Sequence, residues 1–207
     1  MKLAYRDFPS TSSGVPAVVF HPEGPPSIER PTRMAQSSGA VGRVVAPFGD
    51  YAFYPSGMEV GGTCWYRAVP GSTAADPISL TKAVVQATDL LDDLGLGRPA
   101  LIGWGQGGVV ALGAALLRSG QVGRVVCVDA VAAHLELLPP SALAGSAAPP
   151  LLLAATDPAG ERIVSDQQDQ LGAHGIVAST WHWTGDDGEE ERDKAVAERI
   201  GQWLTDV

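Results

Sequence analysis

The sequence is short of the residues that build most chemical sites. Its 207 residues include two cysteines and four histidines. Cys64 and Cys127 lie too far apart to suggest a disulfide framework or a zinc site, so no metal is expected. Basic residues are also few: 14 Lys and Arg against 23 Asp and Glu give a net charge of −9 and a pI near 4.8. Nucleic acids and anionic membrane surfaces are bound by basic faces, so neither is an expected partner. Long apolar runs are missing, and Val109–Leu117 is too short to span a bilayer. The opening residues, MKLAYRDFPS, put Arg6 and Asp7 where a secretion signal needs an apolar stretch. The expectation is a soluble, cytoplasmic protein.

What the sequence has is alternation. Short apolar runs recur at Pro16–Phe20, Arg43–Ala46, Ala100–Trp104, Arg124–Asp129, Leu151–Ala155 and Val177–Trp183. Such near-continuous hydrophobicity marks strands covered on both faces, as in a parallel sheet. Between them lie helical stripes. One joins Leu80, Val84, Ala87, Leu91 and Leu94 and stops at Gly95; another joins Val196, Ile200, Trp203 and Leu204. Alternating strand and helix predicts an α/β fold with a mainly parallel sheet flanked by helices. With no repeat or linker, residues 1–207 read as a single domain. The Pro- and Ala-rich stretch Pro139–Pro150 reads as an excursion before the strand Leu151–Ala155.

The turn Leu101-Ile-Gly-Trp-Gly-Gln-Gly-Gly108 joins one such strand to a helix. It admits two readings. Gly103, Gly105 and Gly108 satisfy the G-x-G-x-x-G pattern of NAD(P)-binding oxidoreductases, and Asp129 lies roughly 20 residues on, where a ribose hydroxyl is bound. The motif begins too late in the chain, however, to leave room for a complete two-half nucleotide fold.

The other reading covers most of the chain. His21-Pro-Glu-Gly24 follows an early strand, then come Val44-Val-Ala-Pro47, Gly61-Gly-Thr-Cys-Trp-Tyr66, the Gly103-x-Gly105-Gln-Gly-Gly turn and Thr156-Asp-Pro158. In order and spacing this resembles the α/β-hydrolase fold, and within it the small carboxylesterase/phospholipase-like branch without a large lid. The resemblance puts Gly105 at the nucleophile position and Asp157 at the acid position. It makes the Gln106 amide and the His21–Gly24 loop the oxyanion donors, and it implies that Trp65, Tyr66 and Trp104 line a pocket.

Hydrolysis on this fold needs a nucleophile, a base and an acid that orients the base. Gly105 has no side chain, and the loop Trp183-Thr-Gly-Asp-Asp-Gly188 has no histidine where the resemblance places the base. His182 in the preceding strand and His134 beyond the strand Arg124–Asp129 are the weak base candidates; His174 reads as solvent-facing. Cys64 is a candidate displaced nucleophile, and Cys127 reads as core. The acidic run Asp186–Asp193 reads as a helix start, with Asp187 as its cap and glutamates in its first turn, rather than as a cation site. A positive φ at position 105 suits glycine, so Gly105→Ser should cost stability.

Three functions follow. The first is a non-hydrolytic protein with no cofactor, which binds a small ligand or partner through the residual pocket and leaves room for a homo-oligomer. The second is an enzyme: a hydrolase that uses displaced groups (His134 or His182 with Asp157), a pocket reused for other chemistry, or an esterase whose nucleophile has been mutated. The third is the NAD(P)-dependent oxidoreductase.

Overall fold

A computed structural model describes residues 2–10, 13–24, 28–54, 61–69, 72, 74–130, 148–186 and 188–206. The chain begins with β1 (Tyr5–Phe8), β2 (Val15–Phe20), α1 (Glu29–Ser37) and β3 (Val41–Pro47). A short hairpin, β4 (Tyr51–Phe53) and β5 (Gly62–Cys64), leads to α2 (Pro77–Leu94). Next come β6 (Ala100–Trp104), α3 (Gln106–Leu117), β7 (Arg124–Val128) and β8 (Leu151–Ala155). The last elements are α4 (Pro158–Ala173), β9 (Ala178–His182) and α5 (Glu189–Thr205).

Seven strands form one sheet in the order β1-β3-β2-β6-β7-β8-β9. Only β1 runs antiparallel to its neighbour. Side chains alternate between faces along each strand and so make two cores. On one face Val19, Ile102, Val126 and Leu152 meet Met34 of α1 and Val196 and Ile200 of α5. On the other, Val18, Leu101, Val125 and Leu153 meet Leu80 and Val84 of α2, Val110 of α3 and Leu171 of α4. The helix α3 is buried on every side from Gly107 to Leu116, because α2 covers what the sheet does not.

All six expected strands are present, with changes at their ends. Asp129 leaves the fourth of them at φ 46°, a left-handed conformation rare for a side-chain-bearing residue. Val177 lies outside β9 and is exposed. Beyond expectation are β1 and the β4–β5 hairpin. The strand β1 reads Tyr-Arg-Asp-Phe, with no apolar pattern; Asp7 is held instead by a two-pronged bond from Arg43 of β3, at 3.0 and 2.7 Å. Gly95 ends α2 at φ 56° as the sequence predicts, and Asp76 with Pro77 starts it. The cap of α5 differs. Gly188 takes the N-cap position in place of Asp187, which lies outside the described residues, while Glu189, Glu190 and Glu191 fill the first turn. No helix is long and apolar enough to cross a membrane among the described residues.

Candidate functional site

The C-terminal ends of the parallel strands meet at the β6–α3 turn, where open α/β sheets place their ligands. Gly105 turns the chain at φ 52° and ψ −126°, and its N–H donates to Val128 O at 3.0 Å. The strand and the helix on either side are pressed together. A Cβ on Gly103 would lie 2.4 Å from Gly107 O, and one on Gly108 would lie 2.7 Å from the Ala130 Cβ. Close backbone packing therefore accounts for these glycines without a dinucleotide.

The oxyanion donors expected from the sequence are already in use. The Gln106 N–H donates to Glu23 Oε2 at 3.0 Å, and the Gly24 N–H donates to Thr63 O at 3.2 Å. Glu23 reaches across from the loop after β2, so its carboxylate sits on the N-terminus of α3. A carboxylate is favoured there by the unpaired amides and the helix dipole. The same carboxylate fills the space beside Gly105: a Cβ at that position would lie 2.7 Å from Glu23 Oε2 and 3.3 Å from Pro22 Cβ. An incoming pyrophosphate would have to displace Glu23. The sequence carried a signal for this, the Pro-Glu pair inside His21–Gly24, but nothing in it said where the carboxylate would point.

His21 is a buried structural residue. Its Nε2 accepts from Gly49 N at 3.1 Å, which leaves the proton on Nδ1 to donate to Pro22 O at 2.5 Å. Burial holds the imidazole below its ordinary value of 6.5, against the opposing pull of the Pro22 carbonyl. Because the folded protein prefers neutral His21, the unfolded chain binds more protons once pH falls below about 6.5. Unfolding midpoints in urea should therefore drop between pH 7 and pH 5.5. His21→Gln should flatten that part of the profile; a slope identical to wild type would exclude His21 as its source.

The three aromatic residues separate. Trp65 is 1% exposed and packs on Phe20 with ring centroids 5.3 Å apart, while its Nε1 donates to His21 O at 2.8 Å. Tyr66 is also buried, with its hydroxyl unpartnered; burial first, then the Glu23 charge, push its phenol up. The Gln106 side chain ties both residues to the turn, its Oε1 accepting from Trp65 N at 3.0 Å and Tyr66 N at 3.3 Å. Only Trp104 of the three lines the cavity above the strand ends. That cavity is about 470 Å³ and is bounded by Glu23, Gly105, Asp129, Asp157 and residues of α1 and α5.

Asp157 reaches the cavity and also caps α4, its Oδ1 accepting from Gly160 N at 2.6 Å. Asp129, the candidate ribose ligand, has both oxygens engaged by Thr156, at 2.7 Å from N and 2.5 Å from Oγ1. Among the described residues no histidine joins them. His182 pairs in register with Ala155, and alternation turns it to the face opposite Trp181, away from Trp104. Its Nδ1 is buried without a partner. His174 is exposed at the end of α4, and His134 lies outside the described residues. Cys64 is buried, and burial with the Glu23 charge raises its thiol, against a smaller lowering by Arg67. Cys127, fully in the core, is pushed up to about 12 by burial. Neither supplies a thiolate at neutral pH. No group of three His, Cys, Asp or Glu able to hold a metal occurs among the described residues.

No protein-family model and no curated protein matches the chain. Solved structures do. Esterase PE8 is 21% identical with a TM-score of 0.70, covering 95% of this chain and 97% of its own. A carboxylesterase from Mesorhizobium loti is 17% identical with a TM-score of 0.74, over 98% and 94%. Zea mays acyl-protein thioesterase 2 is 15% identical with a TM-score of 0.65, over 97% and 99%. At these identities the likeness is one of architecture. The chain has the α/β-hydrolase fold that these structures share.

Proposed function

We propose that this protein is a non-hydrolytic relative of the small carboxylesterases, and that its strand-end cavity binds a small molecule. The observation that carries the reading is the carboxylate of Glu23 on the Gln106 amide, in the space a side chain at position 105 would need. Acyl transfer on this fold needs an oxygen or sulfur nucleophile at the turn and free N–H groups for the oxyanion. Here the turn has a hydrogen atom for a side chain, and the chain's own anion holds the amide. Among the described residues the cavity has no base either, so each of the three requirements argues against hydrolysis. The cavity of about 470 Å³ remains, within the usual range for small-molecule sites.

The test is hydrolysis of activated short- and medium-chain esters by wild type and by Gly105→Ser. Neither should exceed buffer, because a serine alone would still lack a base and an open oxyanion site. Wild-type turnover abolished by Asp157→Ala would instead establish hydrolysis by displaced groups. Turnover gained by Gly105→Ser would identify an esterase missing only its nucleophile.

A further inference from the structure

The cavity contains two arginines and four carboxylates, and its own ion pairs decide which charges remain for a ligand. Arg30 forks onto Asp193, with Nε–Oδ2 at 2.9 Å and NH2–Oδ1 at 2.6 Å, and it also pairs with Glu189. Arg192 reaches Glu189 at 3.7 Å. Those cations are answered. Glu23, Asp129 and Asp157 are held differently: their partners are the Gln106 amide, the Thr156 amide and hydroxyl, and the Gly160 amide. Among the described residues no cation pairs with any of the three. Dipoles stabilise their charge without cancelling it. Trp104, Met34, Pro31 and Val196 also line the cavity and supply apolar surface.

We infer that Glu23 sets the charge preference of the cavity, turning it from acyl and anionic ligands to small organic cations with an apolar body. The inference rests on the reading of this cavity as a ligand site. Glu23 acts in two ways at once. As a tethered carboxylate on the α3 N-terminus it occupies the place where an external carboxylate or carbonyl oxygen would bind. As a third unneutralised charge it joins Asp129 and Asp157 in favouring an ammonium or guanidinium group. Trp104 lines the same cavity, and aromatic rings attract cations.

The experiment is calorimetric titration of the full chain with three probes of one shape: benzylammonium, benzyl alcohol and benzoate. Each is titrated into wild type, Glu23→Gln and Glu23→Gly. Wild type should bind benzylammonium at least about tenfold more tightly than either other probe. Glu23→Gln keeps an oxygen for the Gln106 amide and removes the charge, so it should lose about tenfold for benzylammonium alone. Glu23→Gly frees the amide and should gain affinity for benzoate. Thermal unfolding of each variant reports that it is folded. Benzoate binding to wild type as tightly as benzylammonium would overturn the inference, as would unchanged cation affinity in Glu23→Gln or no binding of the cation. Ester turnover by wild type is the separate result that would sink the ligand-site reading itself.

Discussion

Gly107→Ala is expected to destabilise the protein by about 3 kcal/mol or more. The new Cβ would lie 2.4 Å from His21 O, 2.6 Å from Phe20 O and 2.7 Å from Phe20 C. These are backbone atoms at the end of β2, which pairs with β3 on one side and β6 on the other. They cannot retreat without breaking the centre of the sheet. Nor can α3 move away, since every residue from Gly107 to Leu116 is buried. Gly172→Ala is the control, because a Cβ there meets nothing within 4 Å. In α4 it should gain about 0.5 kcal/mol from the helix preference of alanine. Urea unfolding of the two variants measures the difference, and a loss under about 1 kcal/mol at Gly107 would contradict the packing argument.

Gly105→Ser is expected to cost about 1–3 kcal/mol, and part of that loss should vanish when Glu23 is also changed. Two terms contribute. The φ of 52° strains any residue with a Cβ. The Cβ would also lie 2.7 Å from Glu23 Oε2, the movable end of a side chain. Glu23 can swing aside, but the Gln106 amide then loses its acceptor. In a Glu23→Gly background only the backbone strain and the Pro22 contact remain. The double-mutant cycle should therefore show a coupling of about 1 kcal/mol. Additive losses would mean that Glu23 and position 105 do not compete for the same space.

The fold was legible because its strands are buried on both faces and announce themselves as apolar runs, as Ala100–Trp104 and Leu151–Ala155 do residue for residue. Elements held by polar contacts were not. The strand β1 depends on Arg43 reaching Asp7, and β4 and β5 are three residues each, too short for alternation to register. The site divides in the same way. Gly105, Gln106 and Asp157 stand where local turn chemistry puts them. The role of Glu23 depends on a contact 83 residues along the chain, which no local pattern encodes. Trp65 shows the reverse difficulty. Its position beside the turn was readable, yet its burial against Phe20 was set by the sheet face it happened to meet.

A helix without a polar side has a consequence for biogenesis. As the chain is synthesised, α3 emerges after α2 but before β7, one of the strands that cover it. At ordinary elongation rates of about 5–20 residues per second, its apolar surface stays partly uncovered for about 0.5–2 s. A nascent chain stopped at the end of α3 would present that surface to chaperones and to other chains. Among the described helices, the one least able to face water is thus also one that waits for its cover.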